Sequence, residues 1–328
     1  TLSLHDALPI CPGSYIYVKP GQTPGNVLIE IKSGKIKGNP TLWSWHIWIV
    51  DKYPTVLDVA SQGGDGPKTV QLMSHLLGAY ERVQSQYSAD AYREFGMQYQ
   101  WGRKDPFPAH DVRVNKNFYD GSGKLFDFLW EQRGNDVDYG KTDAQQARGA
   151  ALTMKQSIEH PNAIVSHQSF WLYECFPHGF VSYFKDRWVF LYPWNQPSRT
   201  GNPEDVGGKT VFDPSPYGFR IMSQKEAVTL RSAYYYASRS GLNTPLPGSI
   251  YDGSFTDGKS GGNEVIFAVA QARSDTHAGR YLLNSTGGPA GWAPTSNTSA
   301  VYRRCMTYSV RPVIDPDVQE DYKKYLPE

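Results

Sequence analysis

Several short strings contain residue types that could perform chemistry. Whether they do so depends on whether their spacing matches that of a known motif. The string "GGKT", 207–210, contains the lysine and threonine of a phosphate-binding loop. That loop also needs an upstream glycine, and this chain has Pro203 at the required position. The residues "VFDP" that follow predict a strand, not the helix N-terminus that would bind phosphate. In "GGDGPKT", Pro67 replaces the glycine before Lys68. We therefore predict no phosphate-binding loop.

Cysteine and histidine form a second group of candidates. "ECFPHG" places Cys175 near His178, and "HPNAIVSH" contains His160 and His167. Such residues could bind zinc or form a cysteine-protease pair. The sequence has no HExxH motif and no second close cysteine pair, which favours a structural cysteine and surface histidines. It also lacks the GxSxG motif of serine hydrolases. Carboxylates are numerous enough for a glycosidase pair, but the sequence cannot place two of them together.

The most distinctive string is "YQWGRKDPFP", 99–108. Its two large aromatic residues should anchor a loop in the core, and its glycine should permit a turn. Its three consecutive charged residues should pair locally, and its prolines should fix the exit of the chain. We therefore predict a loop-locking motif, with a ligand site as the less favoured interpretation. The residues concerned are Trp101, Gly102, Arg103, Lys104, Asp105 and Phe107.

The length and composition of the chain indicate which secondary-structure elements could hold these residues in place. A chain of 328 residues predicts one large domain or two medium ones. Its 31 glycines and 23 prolines favour short strands joined by many turns. The net charge of +1, without long charge runs, gives no footprint for nucleic acid or an anionic membrane. No apolar run approaches the roughly 18 residues of a membrane-spanning helix.

The three cysteines are too few for a disulfide scaffold and too scattered for a metal site. Cys175 and Cys305 could form one bridge, with Cys11 left over. At the N-terminus, "TLSLHDALPI", 1–10, looks like a translated sequencing-adapter oligonucleotide, and we exclude it from the fold. We therefore expect a fragment whose true N-terminus, with any export signal, is missing.

Residues 11–54 show the pattern of strands. In "TLWSWHIWIV", 41–50, alternate residues on both sides are largely apolar, which predicts a buried central strand. Trp45 and Trp48 should lie on opposite, largely buried faces, one of them partly uncovered if the strands packing on it are missing. We interpret 11–54 as the last strands of a truncated β-domain. The Gly- and Pro-rich residues 55–70 should form a linker.

Residues 71–316 are predicted to form a second domain, followed by a tail, 317–328. Thr142 with Gln145, and Ser223 with Glu226, match the capping box that opens helices. Two main helices among short strand candidates predict an α+β fold. In "YSVRPV", 308–313, we expect one central strand with Pro312 at its end or at an unpaired edge. Arg311 should be paired to a carboxylate or to carbonyls, because an unpaired buried guanidinium is too costly.

The strings "QYQWGRKDPFP", "SIEHPNAI", "KTVFDPSPYGFRIMSQKE" and "YSVRPV" occur in an order that resembles the Fibrobacter succinogenes major paralogous domain. The resemblance spans about residues 72–314. It implies a C-type-lectin-like module with short antiparallel strands and two main helices, related to formylglycine-generating enzymes. Upstream, "GNVLIEIKSGKIKGNPTLWSWHIWIVD" resembles the closing strands of a β-domain in fimbrillin-like surface proteins of the Bacteroidota, which implies that the aromatic strand is core.

Departures from the family narrow what the resemblance implies. The chain has "SHLLGA", 74–79, where relatives often carry "DRNLGA", so no role of that Asp and Arg carries over. The calcium-dependent sugar-binding motifs of C-type lectins are absent, and "WNQPS", 194–198, is only an echo. The reactive cysteine pair of formylglycine-generating enzymes is also incomplete, since only Cys305 lies near the C-terminal strand.

These features together predict a non-enzymatic adhesin or binding protein of the cell surface or of a fimbria, without a cofactor or metal. We expect it to be exported to the exterior or the outer-membrane surface, with a glycan, a host protein or other surface subunits as partners. A carbohydrate-active enzyme or accessory module is one alternative, and a purely structural pilus subunit is another.

The predicted ligand site lies in the polar loop 284–299, with Tyr281 just before it. A tryptophan flanked by small residues either anchors such a loop or offers a flat face to a sugar ring. If it binds a ligand, its polar neighbours could bond sugar hydroxyls. The candidate ligand residues are Trp292, Tyr281, Asn284 and Asn297.

Overall fold

The computed structural model describes residues 16–19, 24–35, 39–60, 69–81, 94, 96–107, 131–132, 154–161, 163–164, 194–197, 206–227, 229, 249–251, 254–256, 264–272, 278–284, 293–294 and 307–317. Of the described residues, 41% lie in strands and 9% in helices, and no helix reaches seven residues. The predicted α+β fold with two main helices is therefore wrong.

Two helical segments lie within the described residues. Helix α1 comprises Met154–Glu159, and residues 224–227 form a helical turn after Ser223. The second capping box is present, since Ser223 N donates to Glu226 Oε2 over 2.7 Å and Glu226 N donates to Ser223 Oγ over 3.1 Å. A capping box satisfies the first turn only, and the length of a helix depends on tertiary packing. The first box, Thr142 with Gln145, lies outside the described residues.

Strands supply most of the described architecture. They are β1 Gly25–Lys32, β2 Thr41–Ile49, β3 Val56–Ala60, β4 Thr69–Met73, β5 Gln98–Gln100, β6 Glu131–Gln132, β7 Ala163–Ile164, β8 Asn195–Pro197, β9 Val206–Lys209, β10 Phe219–Arg220, β11 Ser249–Tyr251, β12 Ser254–Thr256, β13 Glu264–Ala272, β14 Ala278–Asn284, β15 Ala293–Pro294, β16 Thr307–Ser309 and β17 Val313–Ile314.

Two larger sheets organise these strands. One has five strands in the order β15-β14-β13-β16-β5, and the other has four in the order β10-β17-β4-β3. The pairs β1 with β2, β8 with β9 and β11 with β12 are antiparallel, and β6 with β7 is parallel. The core lies largely on these strands and on the loops beside them. Its largest fully buried side chains include Trp101, Trp194, Tyr99, Phe107 and Leu72.

The C-terminal segment 307–314 connects the two larger sheets. Its first part, β16, lies between β13 and β5, and its last part, β17, lies between β10 and β4. The prediction of one strand over 308–313 is therefore wrong. Pro312 lies between the two strands, where its missing N–H disrupts no ladder, and its carbonyl accepts from Met73 N over 2.8 Å.

Arg311 is buried beside this connection, with 1% of its surface exposed. Its Nε donates to the carbonyl oxygen of Met73 over 3.1 Å. The sequence predicts a carboxylate or carbonyls as partners of this guanidinium, and Met73 O is one such carbonyl. Because Met73 ends β4, the contact ties the segment between β16 and β17 to the four-stranded sheet.

The segment predicted as a linker contains a strand. Strand β3 pairs antiparallel with β4, with Val56 opposite Met73 and Ala60 opposite Thr69. Val59 of β3 is buried, as are Val70 and Leu72 of β4. Within the described ranges, no helix has the length and apolar composition needed to cross a bilayer, in agreement with the sequence.

Gly78, near the start of the connection between β4 and β5, has a backbone conformation that only glycine adopts without strain. It adopts φ +86°, and a Cβ there would lie 2.9 Å from the backbone nitrogen of Met97. We expect Gly78→Ala to lower the free energy of unfolding by about 1–3 kcal/mol, because the alanine would be strained and would meet backbone. Urea unfolding at neutral pH measures this loss.

The matched control is Gly34→Ala, because a Cβ at Gly34 meets only the side chain of Asn39, which can move. Its expected loss is less than about 1 kcal/mol. Equal losses for the two variants would show that Gly78 is not constrained.

Candidate functional site

The β1–β2 hairpin has two faces with different surroundings. Directly paired residues of antiparallel strands project to the same side, so the register separates the faces. We call one the outer face, formed by the pairs Val27–Ile47, Ile29–Trp45 and Ile31–Trp43. We call the other the inner face, formed by the pairs Asn26–Trp48, Leu28–His46 and Glu30–Ser44.

A buried ion pair joins the inner face to the loop after β5. Lys104 Nζ lies 2.7 Å from Asp105 Oδ1, and the two side chains are 8% and 2% exposed. Ser44 Oγ donates to the same carboxylate oxygen over 2.5 Å. Lys104 Nζ also donates to the carbonyl oxygen of Ser44 over 2.9 Å and to its hydroxyl. The local pairing of Lys104 with Asp105 was predicted, but the part played by Ser44 was not.

Burial dominates the electrostatics of this cluster. It lowers the pKa of Lys104, and the neighbouring Asp105 opposes that shift. Burial also lowers the pKa of Arg103 to about 10, again opposed by Asp105. A buried ion pair is tolerated only when additional hydrogen bonds offset the loss of hydration. The hydroxyl and carbonyl of Ser44 supply such bonds, so the hairpin is needed to complete the ion pair.

The loop 98–107 is closed and anchored as the sequence predicted. Gln98 N donates to Phe107 O over 2.8 Å, and Phe107 N donates back over 2.7 Å. Gly102 adopts φ +84° in the turn between them. Trp101 and Phe107 are completely buried, the position that an anchoring residue would take.

Arg103 and Trp194 connect this loop to other parts of the chain. The Nη2 of Arg103 donates to the carbonyls of Pro161 and His160 over 2.9 and 3.2 Å. Its guanidinium lies 4.9 Å from the ring centroid of Phe107. Trp194 Nε1 donates to the carbonyl of Arg103 over 3.0 Å. These contacts make the loop a rigid support for the inner face.

Three further inner-face residues contact the chain beyond the hairpin. Trp48 Nε1 donates to Ala79 O over 3.0 Å, and Asn26 Nδ2 donates to Gly78 O over 2.8 Å. The ring nitrogens of His46 lie 2.8 Å from Asn26 Oδ1 and 2.8 Å from the hydroxyl of Tyr99. Burial lowers the pKa of His46 to about 4. Burial, with smaller effects from Asp105 and Asp213, raises the pKa of Tyr99.

The aromatic residues on the outer face of the hairpin are partly exposed to solvent. Trp45 lies opposite to Trp48, as predicted, but Trp43 and Trp45 are only partly buried. Val27 on the same face is 47% exposed. In the described part of the chain, β2 pairs with β1 alone, so the expected central position is not observed. Alternating apolar residues indicate two apolar faces but not what covers each.

Phe212 extends the aromatic surface beyond the hairpin. Its ring centroid lies 5.9 Å from that of Trp43, with an interplanar angle of 49°. The ammonium of Lys104 lies 4.6 Å from the centroid of Trp43. Next to these rings along the chain, Leu42 is 50% exposed and Val211 is 46% exposed. Trp43 therefore connects the buried ion pair to a partly exposed aromatic patch, which we define as Trp43, Trp45 and Phe212.

The segment that carries Phe212 is held by its own buried polar groups. Asp213 accepts from the backbone nitrogens of Ser215 and Ile221, each over 2.8 Å. Burial raises the pKa of Asp213, while Lys209 and these hydrogen bonds oppose the shift. Arg220 forms a two-point contact with Glu226 over 2.9 and 2.8 Å. The capping-box glutamate thus also pairs a buried arginine.

The predicted ligand residues are described only in part. Tyr281 lies in β14 opposite Phe267, and Asn284 ends that strand opposite Glu264 and Ala293. Trp292 and Asn297 lie outside the described residues, as do Cys11, Cys175, Cys305, His167 and His178. His160 contributes its carbonyl to Arg103. In the described ranges, no group of three or more His, Cys, Asp or Glu side chains could hold a metal ion.

Comparison with protein-family models, curated proteins and solved structures returned no significant match to this chain. The family resemblance of its sequence strings therefore stays a prediction.

Removal of Asp105 tests how much the buried ion pair contributes to the stability of the folded chain. We expect Asp105→Ala to lower the free energy of unfolding by about 3–5 kcal/mol, because it leaves Lys104 buried without its carboxylate. Urea unfolding at neutral pH measures the loss. The matched control is Glu159→Ala, which removes a surface pair with the exposed Lys155 at 3.7 Å and should cost less than about 1 kcal/mol. Similar losses for the two variants would contradict this role of the ion pair.

Proposed function

We propose that this chain is a non-enzymatic binding protein of the cell surface or of a fimbria, and that the aromatic patch is its contact surface. The observation that supports this proposal is the position of Trp43. Trp43 is partly exposed beside Phe212, while its ring contacts the buried Lys104, which is itself hydrogen-bonded to Ser44. A rigid aromatic surface of this kind binds with little loss of side-chain freedom.

The charged side chains with shifted pKa values favour binding over catalysis. Groups of this kind mark active sites when they face a cleft. Here Lys104 and Asp213 are buried, and their hydrogen bonds go to the chain itself. Although burial would lower it, the pKa of Arg220 is raised, mainly by Glu226, and this arginine likewise makes its contacts within the chain, to Glu226 at two points. These groups stabilise the segments that present the aromatic patch.

The chemistry of the patch suits a flat, weakly polar partner. Aromatic rings stack on the apolar face of a sugar or on an apolar side chain, and exposed apolar patches mark interaction sites. The sequence strings that resemble the major paralogous domain and fimbrillin-like proteins add a location at the exterior or the outer-membrane surface. A glycan or a host surface protein is the proposed ligand.

The test combines ligand arrays with single tryptophan variants. We expect Trp43→Ala and Trp45→Ala to weaken binding to a captured glycan or surface protein at least about tenfold, because each removes part of the contact surface. Trp48→Ala is the matched control on the inner face. It should cost about 3–5 kcal/mol of stability, more than either outer-face variant, because Trp48 is 8% exposed and its indole nitrogen is hydrogen-bonded.

Three other outcomes would overturn the proposal. Unchanged binding in both outer-face variants would place the contact surface elsewhere. New reducing ends from a glycan panel would indicate a carbohydrate-active enzyme. A chain that binds nothing on the arrays but is found polymerised in cell fractions would be a structural pilus subunit.

A further inference from the structure

We propose that His46 is an acid-labile latch, and that a proton on its imidazole weakens the docking of the β1–β2 hairpin onto the rest of the chain. The latch is independent of any ligand of the aromatic patch. It depends on a chain of three hydrogen bonds that runs from Gly78 through Asn26 and His46 to Tyr99.

The hydrogen-bond roles in this chain follow from its two ends. Asn26 Nδ2 donates to Gly78 O, so Asn26 Oδ1 faces His46 and can only accept. His46 Nε2 therefore carries the proton and donates to that oxygen. In the neutral ring Nδ1 then has a free lone pair, which accepts from the Tyr99 hydroxyl over 2.8 Å. All three of these hydrogen bonds can form together only while the imidazole is neutral.

Protonation removes the acceptor at the Tyr99 end. An imidazolium has two donors and no acceptor, so the hydroxyl of Tyr99, whose side chain is completely buried, would need another partner. Burial lowers the pKa of His46, and no charged neighbour contributes to the shift. The hydrogen bond that neutral Nδ1 accepts from Tyr99 favours the uncharged ring in the same direction.

The charged and titratable groups around His46 are engaged with other partners. On β1, Glu30 contacts Lys32 and Thr41. On the 98–107 loop, Lys104 and Asp105 contact Ser44, two positions from His46 along β2. On the other side, His75 packs edge-on against Trp48, with ring centroids 6.5 Å apart.

The direction of the pH effect follows from the two states of the hairpin. Docked, His46 has a pKa of about 4, and released it regains its usual value of 6.5. Docking is therefore unaffected above pH 6.5. It weakens as the pH falls through the interval between the two values, by up to about tenfold per pH unit. Because the side chain of His46 is half-buried, the full interval of about 2.5 pH units sets an upper limit of about 300-fold on the change in the docking equilibrium.

Hydrogen exchange followed by mass spectrometry tests the latch on the full chain. The reporter peptide covers 41–50 and the reference peptide covers 307–314. After correction for the intrinsic rate at each pH, we expect exchange in the reporter to increase as the pH falls from 6.5 to 4, by up to about 300-fold. Exchange in the reference should increase less, because the latch opens locally.

Two variants assign the effect to His46. His46→Gln keeps a donor and an acceptor but does not titrate, so the reporter should lose most of its pH dependence. Tyr99→Phe removes the donor to Nδ1, so exchange at neutral pH should increase and the pH dependence should shrink. The conservative control His75→Gln should leave the pH dependence as in the natural sequence.

The proposal is wrong if reporter and reference respond equally to acid, because that pattern indicates global unfolding. A pH response that persists in His46→Gln would assign the effect to another group and overturn the proposal. A reporter that does not respond between pH 6.5 and 4 would show that no latch exists. If His46→Gln does not fold, Tyr99→Phe decides, and an undiminished pH dependence in that variant overturns the proposal.

Discussion

The described structure depends on how it offsets the cost of burying one ion pair away from water. Lys104 and Asp105 are both buried, and a pair of this kind is stable only when further hydrogen bonds offset the lost hydration. Ser44 provides them, although it lies about sixty positions away in the chain. The hairpin and the loop 98–107 are therefore mutually dependent: the loop positions the charges, and the hairpin completes their coordination.

This dependence divides the hairpin into two faces with different tasks. The inner face carries directional contacts from Asn26, Ser44, His46 and Trp48, each to a defined partner on the rest of the chain. With this face fixed, the outer face keeps its tryptophans in place without covering them fully. Lys104 joins the two, since the same ammonium that pairs with Asp105 lies over the ring of Trp43. Rigid support of a partly exposed ring is an arrangement suited to recognition.

The loop with Phe212 and the segment 307–314 follow the same physical rule in other places. Asp213 stabilises its turn by accepting two backbone N–H groups, and Arg220 is buried because Glu226 pairs with it at two points. Arg311 is buried where the chain passes from one sheet to the other, and a carbonyl of β4 accepts from it. Buried polar groups thus fix the loops between short strands, where helices of ordinary length are not present in the described ranges.

The sequence by itself determined features that depend on neighbouring residues. The glycine, aromatic and charged residues of 98–107 indicated a locked loop, the spacing of Ser223 and Glu226 indicated a helix start, and alternation separated Trp45 from Trp48. The cost of burying a guanidinium indicated that Arg311 would have a partner. Each of these inferences rests on local geometry or on a general energetic rule, so no knowledge of distant residues was needed.

Tertiary structure decided everything that depends on residues far apart in the chain. The pattern of 41–50 could not show that β2 pairs with β1 alone in the described residues, or that Trp43 stays partly exposed. The capping boxes suggested two main helices, whereas the described residues lie mainly in strands, because tertiary packing and not a local cap decides how much helix forms. The pairing of Ser44 with Lys104 and of His46 with Tyr99 had no sequence signal, because serine, lysine and histidine are common residues with many potential partners. Which partner is reached depends on how strands pack, and the energy of packing is not encoded in any short string.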